Sequence, residues 1–591
     1  MIGTSLQQDS RARSNTERLL ALFLGAALCI HGLYYPREWY LFGFVLSAFI
    51  MAVHLPIGFH KSRNLYTPIG VTDGLLLGMV LVSFLGILEP VKLTDGFLEA
   101  LQWGIFWVFY RWGVSISFNE RAKSSSMRYL EWLAVAVAVI GWLPWVSKVG
   151  GRLSSVFGYS NAAAVFLGAV LLLSPSKKMV KIFLGISLLG TGSRAGVGFF
   201  IIVFAGQYVL MVVSQQRILP RHSLKSGRRL GRILRSQYLK GFLGLAMGSI
   251  GGIILFIHYP SAWDNLTDWG FSSSSWQERL FYFKDGLKLA WESWGLPQAG
   301  GWRAFPTVQS YPYWTADPHS SIIHILLNQG IIGLIGMGIW SGQTLIQERK
   351  IWGSQGYLKT HEERKARLRL NSALLYLALH SLVDADFSFG SLGILFWLLY
   401  GSRGRWYPKH KLGSMGVFGL SALICLFCGC VFYNPKLLEQ EQVWNTQAVQ
   451  LTKANPDISE KLWLKSLRWD QTQVRTKREL AEHFLRKGDL DSGLNAAQDL
   501  LRWKGFDLET YEWAQSVILE AAEENWKKNP QMAMELYHWV EDVPEVIEGR
   551  TANLTKQQQK LWPGHTDFLP SQHIRFLAEY ARQRQLTQRL P

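Results

Sequence analysis

The chain predicts an all-α fold, a polytopic membrane helical bundle of about 12–13 spans followed by an extracytoplasmic α-helical repeat domain. Three observations predict it. Hydrophobic residues make up 49% of the 591 residues and include 26 Trp, too apolar for an ordinary soluble protein. Apolar runs of about the length that crosses a hydrocarbon core recur along most of the chain. From residue 434 onward the pattern changes to charged, amphipathic helices with no spanning run.

The runs fall at 19–35, 39–59, 69–88, 97–118, 129–147, 158–174, 179–192, 195–213, 241–258, 320–346, 370–385, 388–400 and 413–432. Segment 1–18 precedes them as a cytoplasmic N-terminus. The first run, flanked by Arg11, Arg13 and Arg18, has no cleavage site after it and reads as an uncleaved signal anchor. Orientation follows from Lys and Arg, which cytoplasmic loops retain. With the N-terminus inside, the inner loops hold 29 of them, eight in 214–240 and seven in 347–370, and the short outer loops hold five. That parity puts the long segment 259–318 and the tail outside the cytoplasm. The net charge of +18 is then inner-face topology and attraction to anionic membrane lipid, with no nucleic acid required. Cys29, Cys425, Cys428 and Cys430 all lie in apolar runs and read as small packing residues.

Against the charge rule, Arg152 in RLSSVFGYSN and Arg194 in TGSRAG fall at outer helix ends. A cation held there calls for an anionic partner.

Segment 259–318 is far longer than a connection needs, which marks it as functional. It carries Trp263, Trp269, Trp276, Trp291, Trp294, Trp302 and Trp314 with Tyr259, Tyr282, Tyr311 and Tyr313. Such faces stack on sugar rings, and they also form interfacial belts. Within it, WQERLFYFKDGLKLAWESW has helical spacing, with Trp276, Phe283, Leu287, Ala290 and Trp294 near one face. Arg279 at its start and Arg303 in GGWRAF are candidates to meet an anionic group. Pro318 then fixes the chain before His319, an ionisable group at a helix tip that can exchange protons near neutral pH. His324, one turn deeper, reads as a packed residue. His380 and Asp384, four apart in HSLVDADFS, are placed on one helix face within hydrogen-bond reach, as site support. Asp384 and Asp386 also spell D-x-D, but an outer helix end lacks nucleotide sugars, so no metal and no other cofactor is expected.

In order, RLSSVFGYSNAAAVFLGAVLLL, GSRAG, HSSIIHILLNQGIIGL after a long loop, and HSLVDADFSFGSLGILFWLLYG resemble the O-antigen ligase and polymerase family of bacterial envelope glycosyltransferases over about residues 20–432. The resemblance implies transfer of a glycan from an undecaprenyl-diphosphate carrier at the outer face of the cytoplasmic membrane. By position, Arg152 and Arg194 match the family's diphosphate-gripping arginines and His319 the histidine closing the long loop. Family members commonly have Asn after that His, whereas Ser320 stands here. The chemistry agrees, because a departing diphosphate concentrates charge that a guanidinium fork binds bidentately, and a histidine can take the acceptor proton. The expected partners are the lipid-linked glycan, a glycan or protein acceptor, and a protein at the tail.

In the tail, LRW at 467–469 recurs at 501–503, the 34-residue period of tetratricopeptide repeats. Repeats are expected from about 437 to 545, with a less regular end over 546–591. Ala481, Gly488 and Ala497 are the small residues expected where paired helices approach. Two other readings stand beside ligation: polymerisation of lipid-linked units, and a lipid-glycan flippase. The flippase predicts repeated charged groups at mid-membrane, whereas Arg111, Asp73 and Glu131 form no repeat. A third, a membrane sensor read by the tail, leaves the outer arginines unexplained.

Overall fold

A computed structural model describes residues 19, 21–59, 67–68, 70–117, 120–146, 148–175, 178–216, 274–353, 360–404, 411–412 and 414–588. The expected N-terminal segment, the run at 241–258, the basic loop beyond residue 216, and Tyr259, Trp263 and Trp269 lie outside the described residues.

The fold is all-α; its one sheet is a two-residue antiparallel pair, Thr67–Pro68 with Lys411–Leu412. Helix α1 covers 21–29. It is followed by α2 (Pro36–Phe59), α3 (Val71–Leu85), α4 (Leu93–Ser117), α5 (Glu120–Trp142), α6 (Ser160–Leu173), α7 (Lys178–Gly190) and α8 (Arg194–Gln216). After the gap come α9 (Ser274–Glu292), α10 (Ser321–Asn328), α11 (Gly330–Gly353), α12 (His361–Ser381), α13 (Gly390–Ser402) and α14 (Ser414–Tyr433). The described apolar runs thus each coincide with a helix, with one correction. The run at 320–346 is two helices, because Gly330 adopts φ 64° and its α-carbon lies against the chain at Gly295–Pro297 too closely for any side chain. By length and composition, Arg194–Met211 is the one segment among the described residues that could cross a membrane; Val71–Leu85, Ser160–Leu173, Gly390–Ser402 and Ser421–Tyr433 are shorter apolar helices. The cysteines are free thiols, and only Cys428 is fully packed.

One apolar core joins these helices except α9 and α10, with Trp39, Phe109, Phe166 and Tyr376 among its fully buried side chains; Leu289 and Ala290 of α9 and Ile323 and Leu327 of α10 form a separate cluster. Helix α13 packs on α4, α14 on α2, and α6 on α12. The α4–α13 contact is backbone on backbone: a Cβ on Gly113 would lie 2.2 Å from the Leu398 carbonyl oxygen, and one on Gly401 2.2 Å from that of Tyr110.

The tail begins with α15 (Gln440–Leu451), then α16 (Pro456–Trp469), α17 (Val474–Lys487), α18 (Leu490–Trp503), α19 (Leu508–Asn525) and α20 (Pro530–Ala552); short α21 (Lys556–Leu561) precedes α22 (Gln572–Gln588). Helices pair as α15–α16, α17–α18 and α19–α20, and α22 closes on α20. The two LRW triplets end α16 and α18, the second helices of successive pairs, which explains the 34-residue offset. Ala481 and Ala497 are fully buried. Gly488 departs from expectation: it is the left-handed C-cap of α17 (φ 83°), and Gly493 is the glycine at the close approach, against Leu485.

The tail is docked on the first body. Trp503 enters a cluster with Val91, Leu289, Ala304 and Phe305, and Leu554 one with Phe281 and Tyr311. Gln471 N–H donates to the Val91 carbonyl (2.8 Å), Gln558 to Ser310 (2.8 Å), and Lys92 pairs with Asp470 (3.1 Å). Burial works against the Asp470 carboxylate, but Lys92, Thr472 and Gln473 outweigh it and hold the group below its usual range.

Two outcomes follow. Gly401→Val forces a methyl into the Tyr110 carbonyl and is expected to cost about 1–3 kcal/mol, read as a lowered Tm of the purified protein, whereas Gly185→Ala, in open space inside α7, should hold or raise Tm. Because Asp470 is depressed in the folded state, its contribution is complete above the unfolded value of about 3.9 and is lost as pH falls through the folded one. Hydrogen exchange at 89–92 and 470–472 should therefore rise below about pH 4, and Asp470→Asn should flatten that profile; an identical profile in the variant refutes the assignment.

Candidate functional site

Asp384 sits in the turn between α12 and α13 with no exposed surface. Its Oδ1 accepts from Tyr159 Oη (2.8 Å) and from the N–H of Ala385 (2.8 Å), and lies 3.2 Å from His319 Nδ1. Its Oδ2 accepts from Arg279 Nη2 (2.9 Å) and Asn161 Nδ2 (2.5 Å). Four separate stretches of sequence therefore meet on one carboxylate.

The sequence explains each arm. In RLSSVFGYSN, Gly158 takes φ 64°, so the chain turns there and α6 starts with Tyr159 and Asn161 facing the site. Tyr159 also stacks on Phe389 (centroids 5.6 Å apart, 2° between planes). Arg152 follows left-handed Gly150 and Gly151. Its Nε donates to the Thr191 carbonyl (2.8 Å) and its Nη2 to Asn161 Oδ1 (2.9 Å), binding it to the ends of α7 and α6. In TGSRAG, Gly192 supplies φ 59° and the Ser193 hydroxyl accepts from Gly196 N–H (3.2 Å) as an N-cap. Gly196 lets α8 approach Ala164 closely, and Arg194 becomes the first residue of the helix.

Burial pulls Arg152 below its ordinary pKa; Tyr159 and Asp384 counter this, and the positive charges of Arg194 and Arg279 add to it. Three guanidinia therefore act on one another here. For Arg279 burial opposes the charge, but Asp384 more than reverses it and holds the group above its ordinary value. Glu278, beside it on α9, is pushed up by burial against the opposing pull of His319 and Arg279.

His319 has φ 52°, left-handed for a residue with a Cβ. Its N–H donates to Asp317 Oδ1 (2.9 Å), and its ring stacks on Tyr282 at 5.6 Å. Asp317 is fully buried; burial alone would raise it, but bonding and charge from His324, the Ser388 hydroxyl and the charge of His319 bring it below its usual value. With Nδ1 donating to a carboxylate, the neutral ring carries its lone pair on Nε2, which has no hydrogen bond among the described residues.

Some expectations are corrected. His380 does not bond Asp384: α12 ends at Ser381, so the four-residue spacing is not helical, and His380 Nδ1 pairs with Asp386 Oδ2 instead (2.7 Å, both buried). Arg303 is outside the cluster, paired with Asp95 (Nε to Oδ2, 2.5 Å) and lying over Trp302. His324 is not merely packed; its ring lies between Asp317 (3.2 Å) and Glu99 (3.0 Å). On α9 the buried stripe is Phe281, Tyr282, Asp285, Leu289 and Ala290, while Leu287 and Trp294 are exposed. The apolar spacing fits two faces; Gly286, against Ile323, sets the one that packs. Sequence reading missed Tyr159, Asn161, Tyr282, Glu278 and Asp317, although the first two stand inside a quoted motif as polar groups opening an apolar helix.

Among the described residues no group of three or more His, Cys, Asp or Glu is arranged to hold a metal ion. The constellation gathers cationic side chains around a held imidazole, an arrangement suited to an anion beside a proton acceptor. No family model matches the sequence, and no curated protein matches it.

Asp384→Ala would strand Arg279 as an unpaired buried charge, expected to cost about 3–5 kcal/mol. Chemical or thermal unfolding of the full chain reads this; the Asp384→Ala, Arg279→Met pair should recover part of the loss, and a single variant as stable as wild type sinks the hub assignment.

Proposed function

We propose that the chain is a glycosyltransferase of the bacterial cytoplasmic membrane. It moves a glycan from an undecaprenyl-diphosphate carrier to a protein or envelope-glycan acceptor at the outer face, in the manner of the family its motifs resemble. The observation that carries the reading is the buried Asp384 carboxylate on which Arg279 and His319 Nδ1 meet, with Arg152 joined to it through Asn161.

A polytopic bundle is part of the proposal. In its support, Leu81 and Phe84 of α3, Ile201, Ile202 and Phe204 of α8, and Ile335 and Ile339 of α11 are exposed, a pattern suited to lipid and costly in water. The N-terminus is assigned to the cytoplasm and the tail to the outside, supported by the tail's contacts with 90–92 and 305–311, segments assigned to the outer side by charge.

The chemistry follows from the residues. The acceptor hydroxyl oxygen attacks the anomeric carbon and forms the new C–O bond, and its proton passes to His319 Nε2. The bond from the anomeric carbon to the diphosphate oxygen breaks, and its electron pair leaves with the carrier diphosphate. Arginine forks stabilise the charge that develops there. Attack opposite the leaving group inverts the anomeric centre. Asp384 stays ionised, fixing the ring and its tautomer.

In purified, reconstituted protein, His319→Ala should lower kcat by roughly 10²- to 10⁴-fold while carrier binding persists; undiminished transfer removes His319 as the base. Arg152→Lys keeps the charge but cannot reach both Thr191 and Asn161, so near-normal transfer rules out the bidentate grip. Polymer formed from lipid-linked units without an added acceptor converts the assignment to polymerase.

A further inference from the structure

The far end of the α12–α13 pair holds a second cationic site. Arg367 lies near the start of α12 and Arg403 just beyond α13, about 20 Å along that helix from the end that carries Asp384. Both converge on Glu348 of α11: Arg403 Nη2 lies 2.5 Å from Oε1, and Arg367 bonds the same carboxylate. Asn371 Nδ2 donates to Oε2 as well (2.6 Å), and Arg367 Nη1 donates to the Arg403 carbonyl. Two guanidinia thus share one carboxylate whose oxygens are already occupied.

Both arginines are buried, with 9% and 8% of their side chains exposed. Arg403 lies over the Tyr400 ring at 4.5 Å, and its buried Nε has no hydrogen-bond partner among the described residues. A buried, ionised donor left unpaired is costly. Arg403 also lines a cavity of about 330 Å³, whose charged lining among the described residues is Arg367, Arg403 and Lys350, without an Asp or Glu. Thr72, Gln343 and Tyr400 add neutral polar groups. Asp73, one residue from the lining Thr72, is engaged by Arg111 (3.2 Å) and Trp107 (2.9 Å).

We propose that this cavity binds a phosphate group, with Arg403, Lys350 and Arg367 supplying the positive charge of its wall. Guanidinium and ammonium groups suit phosphate oxygens. The site shares no residue with the Asp384 cluster and does not depend on the transferase reading. Its phosphate comes either from an anionic phospholipid at the membrane surface or from a soluble phosphate.

The test uses the full-length protein in dodecylmaltoside micelles and follows Tm while titrating dioleoylphosphatidylglycerol, dioleoylphosphatidylcholine, or sodium phosphate against chloride of equal ionic strength. Wild type should gain thermal stability with phosphatidylglycerol or with phosphate. Lys350→Gln and Arg403→Gln should each weaken the apparent affinity roughly tenfold, the loss of one charge-assisted bond. A response to phosphatidylglycerol alone assigns the lipid source, and a response to phosphate ion assigns the soluble one. No shift with either, an equal shift with phosphatidylcholine, or equal affinity in both variants overturns the site. Lys350→Gln, at the end of α11, is the independent arm should Arg403→Gln fail to fold.

Discussion

The buried Asp384 carboxylate is the constraint on which the rest of the candidate site depends. Taking a carboxylate fully out of water is costly unless its lone pairs are filled, and here Tyr159, Asn161, Arg279, His319 and the Ala385 N–H fill them. Because those donors come from α6, α9 and the entry to α10, satisfying one charge fixes three otherwise independent pieces of chain. Arg152 joins through Asn161. The site is therefore one electrostatic unit, in which moving any member disturbs the desolvation balance of the others.

That unit is held from outside by the tail. Helix α9 presents Arg279 to Asp384, while Leu289 and Ala290 pack with Trp503, and Phe281 with Leu554. The same tail bounds a cleft of about 570 Å³ against the outer loop, lined by Trp302, Trp314, Trp503 and Phe506. Helix α9 is thus clamped between a polar anchor and apolar tail contacts, so the repeat domain has a mechanical part in placing Arg279, whatever else its surface binds. The bond from Gln558 to Ser310 brings the same restraint to the segment leading into His319.

How much of this was legible depends on whether a signal is local. Runs of apolar residues marked the helices because burial or lipid exposure acts on whole segments, and the repeat period of LRW marked equivalent ends of helix pairs. Arg152, Arg194 and His319 were legible as charges or ionisable groups at helix ends. Partner choice was not. Whether His380 reaches Asp384 or Asp386 turns on α12 ending at Ser381, and Arg303 belongs to Asp95 through a contact between residues 208 apart. The packed face of α9 was ambiguous because apolar residues occupy more than one side, and only the approach of Ile323 to Gly286 decides between them.

The held imidazole separates His319 from the other proton acceptors nearby. Asp384 accepts from five donors and has no capacity left for a substrate proton. Glu278 lies close enough to feel both His319 and Arg279, but its carboxyl is not among the groups bonded to Asp384. His319 is restrained at three points: Asp317 holds its N–H, Asp384 faces Nδ1, and Tyr282 covers one ring face. A left-handed backbone at such a residue persists only where its surroundings over-determine it. The same restraints leave Nε2 with a fixed lone pair and little rotational freedom to lose, the condition under which proximity lowers a barrier. Strain and tautomer thus single out one atom, Nε2 of His319, as the held lone pair of the cluster.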